Sequence, residues 1–534
     1  MKPSSFCTIA TNGVMKDLRA LVNSMSLNMP GSRLYVLSDV ETKKFIEADN
    51  FPLKIDIRWK VSLNDYTNKN RDKMVKEGIW SDFQMEKTNS LLWAFDEGET
   101  DVMFLDADLF ILQDIVFENY DGEDVVLSPH YIRKHDEDKF GRFNGGVFWT
   151  KNKETIQTWR DNFEGSRYYD QACLEDVKNA HSTCELHSGH NMSWWRVFQG
   201  DEHPNEIVKR FTIKEGRAYY ENNPLRFIHT HLFDSTGVVG AFNKLMFDVA
   251  MQCKDVRNGI LLLRHIQGEW NVIIPKQPVG GMWNHTNDSF RELAKMWDIK
   301  KLAKLREVSK IGNCWFGLPG TCLLFDRPVL SWYEKDPLAK NAKISLFANP
   351  SPPEGSGGVP WIFWARRPLL LETHKNIFRK NSKEHEIVFI GNIENSVQGS
   401  YRNDQWQDTV DDFHLTNGGR YKFTHEGYLE RISKAKFGLC LRGYGVKCHR
   451  ETELMGVGTI PIITPGCDIT SYTNPPKEGV HYLRVSDPSK IPDIIKNITP
   501  KNIEIMRENC IQWWEENCSL EGSFRTTLRQ IFSL

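Results

Sequence analysis

Two aspartates two residues apart, Asp106 and Asp108, close the run Asp101-Val-Met-Phe-Leu-Asp-Ala-Asp108. The apolar stretch before them has the character of a buried strand. Side chains at i and i+2 of a strand point to the same side, so both carboxylates are expected to project together from the strand end. Two such oxygen ligands suit a hard divalent cation, Mn²⁺ or Mg²⁺, and the cation can clamp a diphosphate. It would stabilise the charge that grows on a leaving nucleoside diphosphate when a sugar–phosphate bond breaks. An Asp-x-Asp alone is also a common turn or helix cap. Two further features weigh toward chemistry. Asn144-Gly145-Gly146 offers backbone that a ligand can approach closely. His229 and His231 fall on one face of the strand-like run Arg226–His231, and histidine is the usual nitrogen partner for a metal already held by oxygen. Either histidine could serve, and the sequence does not choose.

A second constellation lies between Phe437 and Ile463. It reads as a strand, a Gly-rich loop with basic residues, a helix from about 449 to 457, and a strand. Gly443 and Gly445 let the backbone fold against a ligand, while Arg442, Lys447 and Arg450 offer positive charge. The helix N-terminus favours a diphosphate. Glu453, one turn into that helix, can accept two ribose hydroxyls. The competing reading is a helix with a charged first turn and an Arg450–Glu453 ion pair.

The elements that must position these groups alternate between strand and helix. Phe6–Asn12 reads as a first strand and its polar loop, residues 14–28 as a helix with apolar positions at helical spacing, and Arg33–Asp39 as a second strand. Strand, helix, strand predicts a parallel α/β start. A helix over 82–96 leads into the Asp-x-Asp strand, and further strands are expected at 125–128 and 142–149. The pattern weakens from 234 to 310, where 289–309 looks helical and charged and Pro275 to Asn287 is rich in Gly, Pro and Asn. The domain boundary is placed near 250, within about 20 residues, giving domains 1–250 and 251–534. Residues 350–359 read as a flexible loop inside the second domain. A second α/β pattern follows, with strands at 386–391, 437–441 and 460–463.

Composition sets the class. At 534 residues the chain is too long for one core. A net charge of −2 provides no basic field for nucleic acid. No run of roughly 18 apolar residues exists, so no transmembrane helix is expected. The N-terminus leads straight into a strand-like run without a charged-then-apolar signal region, and the 11 cysteines show no disulfide or zinc spacing. A reduced, cytoplasmic setting is the expectation. Sequons such as Asn191-Met-Ser then read as chance occurrences.

Phe-Leu-Asp-Ala-Asp108, Phe-Asn-Gly-Gly-Val147 and the late His-Thr-His231 resemble the GT-A family of nucleotide-diphospho-sugar glycosyltransferases, with glycogenin-like and galactosyltransferase-like members nearest in flavour. The resemblance covers about residues 5–235. It implies a metal, usually manganese, on Asp106, Asp108 and one late histidine, and a nucleotide held by Thr8, Ala10, Thr11 and Asn12 with help from Asp39. It also implies that Lys87 and Gly145 approach the donor, and that Tyr169-Asp170-Gln171 is the motif facing the donor sugar. Asp170 and Asn144 are the catalytic candidates, a helix N-cap being the alternative for Asp170 and a solvated helix position for Lys87. In the family, the metal histidine is followed by Gly two or three residues on, whereas Leu-Phe-Asp follows His231 here.

Residues 442–461 resemble the exostosin family, whose fold is GT-B. Its pattern falls on Arg442, Gly443, Arg450, Glu453, Gly458 and Pro461. This implies a metal-independent, inverting transfer, with Arg442 and Arg450 on the diphosphate, Glu453 on the ribose, and Gly391-Asn392 at the cleft. The catalytic base would come from about 310–375. Joined transferase folds without a secretory anchor resemble the multi-domain enzymes of large algal viruses, the chloroviruses, which act in the host cytoplasm. The expected fold is therefore α/β, a GT-A domain followed by a GT-B domain with two Rossmann-like lobes. The expected function is a bifunctional glycosyltransferase acting from nucleoside-diphosphate sugars, UDP first among them, on a glycoprotein or glycolipid oligosaccharide acceptor. The first domain's resemblance leans towards retention. The alternatives are one active domain beside a degenerate acceptor-positioning one, or a non-catalytic carbohydrate-binding protein.

Overall fold

A computed structural model describes residues 1–268, 270–275, 284–308, 316–318, 322–325, 344–347, 359–391, 404–415, 423–443 and 445–532. The loop expected at 350–359 falls almost wholly outside the described residues. So do Asn392 and much of the 310–375 stretch assigned to a catalytic base. The chain divides into two compact units, Met1–Gly268 and Glu269–Leu534.

The first unit is built on a seven-stranded sheet. Its strands are β1 (Ser5–Ala10), β2 (Arg33–Ser38), β3 (Asp56–Val61), β4 (Val102–Leu105), β6 (Val125–Pro129), β7 (Phe143–Thr150) and β8 (Thr183–Glu185), in the order β3-β2-β1-β4-β7-β6-β8. β1 pairs in parallel with β2 and with β4, and β7 runs antiparallel to β4. Strand parity sorts the apolar residues onto two faces. Phe6, Ala10, Met103, Leu105, Val147 and Trp149 pack on one side with Leu18, Leu21, Val22 and Met25 of the helix Met15–Asn28. Cys7, Ile9, Val102, Phe104 and Phe148 pack on the other with Leu91 and Ala94 of the helix Trp80–Asp96. Both helices were legible in their spacing, and so was the parallel start.

A smaller sheet places β13 (Phe227–His229) between β5 (Leu109–Ile111) and β9 (Met192–Ser193). A hairpin sheet, β10 to β12, spans Phe211–Lys214, Arg217–Tyr220 and Asn223–Pro224. The division falls between Gly268 and Glu269, inside the range of about 20 residues around 250 that the sequence pattern left. The helices Gly237–Gln252 and Arg257–Gln267 belong to the first unit, where buried Arg264 ion-pairs with Asp49. Among the described residues no helix is long and apolar enough to cross a membrane.

In the second unit, β20 (His385–Gly391), β21 (Asp412–Leu415), β22 (Ala435–Cys440), β23 (Ile460–Ile463) and β24 (Leu483–Arg484) form a parallel sheet of order β21-β20-β22-β23-β24. Numbered from its first strand this is the doubly wound order 2-1-3-4-5, with its topological switch point between β20 and β22. Earlier in the unit, β14 (Trp270–Pro275) pairs with β15 (Ala303–Val308), and β16 to β19 (Phe316–Leu318, Cys322–Phe325, Ile344–Phe347, Val359–Pro360) form a four-stranded sheet. The helix expected over 289–309 is a correction. It spans Asn284–Ile299, ends through Lys301 at φ 56°, and is followed by β15. Parallel pairing of Trp270–Pro275 with Ala303–Val308 overrides the helical propensity of Lys, Leu, Arg and Glu there.

Candidate active site

The large sheet reverses its order between β1 and β4, and ligands of open α/β sheets sit at the carboxyl ends of strands at such a point. Asp106 follows β4 immediately and is fixed opposite Gly146 of β7 by its N–H, which donates to Gly146 O at 2.8 Å. The expected strand end is in fact a turn from Asp106 into β5. Register then brings in the histidine. β13 lies antiparallel to β5, His229 pairs with Leu109, and Thr230 N–H donates to Asp108 O at 3.0 Å. His229 Nε2 stands 3.1 Å from Asp108 Oδ1 and 3.9 Å from Asp106 Oδ2. Asp106, Asp108 and His229 each offer one ligand atom, all within 4.8 Å of one another.

His231 is placed differently. Its exposed ring approaches Asp108 Oδ2 at 3.5 Å and Asp17 Oδ2 at 3.9 Å. The hydrogen bond with Asp17, together with Asp108, raises the imidazole to about 9. Burial pushes the Asp108 carboxyl up, but His229 and His231 outweigh it and hold Asp108 below the usual carboxylate range.

Lys87 is buried, with its side chain 6% exposed, so the solvated-helix reading fails. Its ammonium donates to Asp170 Oδ2 at 2.8 Å and to Gly145 O at 3.1 Å, and lies 3.2 Å from Asp106 Oδ1. Burial favours loss of the Lys87 proton, but Asp106 and Asp170 more than offset that and hold it charged. Burial raises Asp106, against the pull of Lys87. Asp170 is the second residue of the short helix Tyr169–Ala172, whose N-cap is Tyr168, so Asp170 is not the cap. Tyr169 sits at φ 41°, a left-handed conformation costly for a bulky residue. The two glycines between these groups leave no room for a side chain. A Cβ at Gly145 would meet Asp170 Oδ2, and one at Gly146 would meet Asp106 Oδ2 and His229 Cε1.

Several nucleotide candidates are corrected. Thr8 lies mid-strand on the face shared with Phe6 and Ala10, and its fully buried hydroxyl cannot reach a ligand. Asp39 is fully buried and caps the helix Val40–Glu47 through Thr42 N–H; it also accepts from Asn12 N–H and Thr67 Oγ1. It positions the loop after β1 instead of offering a carboxylate to ribose. Asn12 ties that loop to Asn68 and Glu41. Ala10 ends β1 at the switch point, Thr11 follows it, and both are buried. Asn144 is buried too, its amide bonded to His130, Gly146 and Asn191, so it shapes the site from behind. Sequence reasoning missed Asn191 and Asp17. Asp17 had a faint signal, an acid in the first helical turn after β1; Asn191 showed only as a sequon.

In the second unit, Gly391, Arg442, Gly443 and Arg450 gather at the carboxyl end of the β20/β22 switch point. The helix His449–Val457 forms where expected and is closed by Gly458 at φ 74°. Arg450 stacks over Phe389 with 4.5 Å to the ring centroid and donates through Nη2 to Ile390 O at 2.6 Å. Its Nη1 is buried without a hydrogen-bond partner among the described residues. Gly391 is needed because a Cβ there would lie 2.7 Å from Arg450 Nη2. Glu453 Oε1 accepts from Arg366 N–H at 2.9 Å and stands 3.4 Å from His425 Nε2. Lys447 is corrected. Its buried ammonium donates to Ser471 O at 2.8 Å and stands over the Tyr472 ring, and burial lowers it to about 7. Its amine is committed beneath the loop.

No protein-family model matches the chain, and no curated protein does. Among solved structures it is similar to the galactosyltransferase LgtC in complex with donor and acceptor sugar analogs, at 14% identity and TM-score 0.32, covering 47% of this chain and 96% of that one. An active-site mutant of LgtC matches at 13% identity and TM-score 0.31 over 46% and 95% of the two chains. Mouse xyloside xylosyltransferase 1, apo form, matches at 13% identity and TM-score 0.27 over 36% and 88%.

Proposed function

We propose that the first unit is a GT-A glycosyltransferase moving a sugar from a nucleoside diphosphate, UDP first among them, to an oligosaccharide acceptor. The second unit would carry an exostosin-like GT-B transferase, so that one chain performs two transfers. The observation that carries the reading is the convergence of Asp106, Asp108 and His229 at the β1/β4 switch point, with the buried Lys87–Asp170 pair beside them. Two carboxylates and an imidazole, on a backbone where a Cβ would intrude, fit a divalent cation. Asp106, Asp108 and His229 would hold Mn²⁺ or Mg²⁺, which when bound supplies charge stabilisation to a leaving diphosphate.

The chain's own groups account for the remaining tasks. The loop Thr11–Asn12, held by Asp39, borders the nucleotide. His231, kept protonated by Asp17 and Asp108, presents an N–H to phosphate oxygens. Lys87 holds Asp170 so that its carboxylate accepts from a hydroxyl of the donor sugar, and Gly145 and Gly146 let Asp170, Asp106 and His229 close down on β7. In the second unit, Arg450 and Arg442 with the N-terminus of the helix His449–Val457 would hold a second diphosphate.

The test is donor turnover. Purified protein is incubated with a panel of nucleotide sugars in Mn²⁺ or EDTA while nucleoside diphosphate release is followed. Parallel samples carry D106A with D108A, or R450A with E453A. One donor is expected to need metal and the first pair, another to survive EDTA and need the second pair. Nucleotide binding without turnover of any donor would favour a degenerate transferase. Glycan binding without nucleotide would favour the carbohydrate-binding alternative.

A further inference from the structure

His229 ends a chain of buried hydrogen bonds whose direction is fixed at two points by backbone groups that cannot reverse. At the far end, His130 Nδ1 is 2.9 Å from Gly141 O. A carbonyl only accepts, so Nδ1 carries the proton and Nε2 is bare. Asn144 Nδ2, 3.3 Å from that Nε2, therefore donates to it. The orientation of Asn144 is fixed independently, because its Oδ1 accepts the N–H of Gly146 at 3.1 Å.

Asn144 Oδ1 also faces Asn191, which must turn Nδ2 toward it, at 3.2 Å; the other N–H of that amide reaches Ser128 Oγ at 2.9 Å. Asn191 Oδ1 is thereby left facing His229 Nδ1 at 3.0 Å. An amide oxygen only accepts, so His229 Nδ1 carries a proton, and in the neutral ring Nε2 is the bare nitrogen, facing Asp106 and Asp108. A bare nitrogen facing two carboxylates is a place for a cation. His130, Asn144, Asn191 and Ser128 are all buried, so no solvent competes for these bonds. Asn191 holds its place at φ 51°, a conformation that Asn tolerates better than most residues.

We propose that Asn191, oriented through Asn144 and His130, is a positioning residue that fixes His229 as the Nδ1–H tautomer with Nε2 directed at the cation site. The inference rests on the metal reading of Asp106, Asp108 and His229, but its first test needs neither donor nor turnover, so the two fail separately.

The test is ¹⁵N NMR of the histidine rings in the metal-free full chain, followed to a pH where His229 is neutral, and repeated with diamagnetic Mg²⁺. The expected result is a protonated Nδ1 and a bare Nε2 in the neutral ring. A neutral ring protonated at Nε2 would overturn the proposal without any variant being made. Asn191→Gly removes the amide while accommodating the positive φ. It is expected to release the tautomer and to weaken Mn²⁺ binding, measured by calorimetry, by 10- to 100-fold, the range typical of lost outer partners of metal ligands. Asn191→Asp keeps an oxygen for the Nδ1 proton and is expected to keep the tautomer. If Asn191→Gly folds and leaves both tautomer and Mn²⁺ affinity unchanged, Asn191 has no positioning role.

Discussion

Gly146→Ala is the sharpest perturbation of the first site. Gly146 has no positive φ, so alanine suits the backbone and the whole effect comes from one methyl group. That carbon would lie 2.7 Å from His229 Cε1 and 2.8 Å from Asp106 Cγ, with Asp106 Oδ2 nearer still. Optimal carbon–carbon separation is about 3.5–4.0 Å, so both groups must give way by roughly 0.7 Å or more. A metal site tolerates ligand displacements of about 0.2 Å. Two of three ligands would move several times that far, and Mn²⁺ affinity should fall at least about 100-fold, roughly 2.8 kcal/mol. Overpacking should cost about 1–3 kcal/mol of stability besides. Calorimetric Mn²⁺ titration and a thermal melt read the two effects separately. Gly145→Ala is the matched comparison. Its methyl would meet Asp170 and Gln171 instead, so donor turnover should fall while Mn²⁺ affinity stays near wild type. Gly13→Ala, whose nearest neighbours would be 3.9 Å away, should change neither. A folded G146A protein that binds Mn²⁺ as wild type does would refute the assignment of Asp106 and His229. Equal losses of Mn²⁺ affinity in G145A and G146A would refute the separation of metal and sugar sides.

His229→Gln should lower Mn²⁺ affinity by about 100-fold, whereas His231→Gln, lying outside the three-ligand cluster, should lower it less than about tenfold; the reverse order in a calorimetric titration would exchange their roles. Lys87→Met leaves buried Asp170 and half-buried Asp106 without their cation, and should destabilise the metal-free protein by about 3 kcal/mol in denaturant melts, with Asp170→Asn recovering part of the loss. Glu453 drops from 4.5 to about 2; burial raises it, but His425, His449 and the Arg366 N–H outweigh that. Its contribution of about 3 kcal/mol is therefore present above pH 4.5 and disappears as pH falls through about 2, so Glu453→Gln should flatten the acid limb of a stability–pH profile. Arg450→Ala in a D106A/D108A background should cut nucleoside diphosphate binding by about 30-fold or more in fluorescence titrations, and unchanged binding would remove Arg450 from the phosphate site.

Local periodicity and turn chemistry made much of the framework legible. The helix 15–28, the strand before Asp106 and the helix 449–457 after its Gly-rich loop all follow from apolar spacing and glycine placement. What the spacing could not show is the side on which a long-range partner lies. Thr8 looked available beside a polar loop, yet strand parity turned it toward the helix 15–28. Lys87 could be read as a donor-facing residue or as a solvated helix position, and packing of its helix against the sheet decided the matter by driving it between two carboxylates. The run 303–308 has helical composition, but its partner strand begins more than thirty residues earlier, at Trp270.

The sequence by itself determined the kinds of groups available: an Asp pair after an apolar strand, two late histidines, a diglycine, and a Gly- and Arg-rich turn into a helix. These are local facts, set by residue type and by periods of two and 3.6. Tertiary structure alone decided which of them meet. Antiparallel register between β13 and β5 places His229, not His231, against both carboxylates. The switch point between β1 and β4 brings Lys87, Asp170 and Gly146 to the same edge. Asn191 acquires its place only through hydrogen bonds to residues 38, 47 and 63 positions away, a distance over which no sequence pattern carries information.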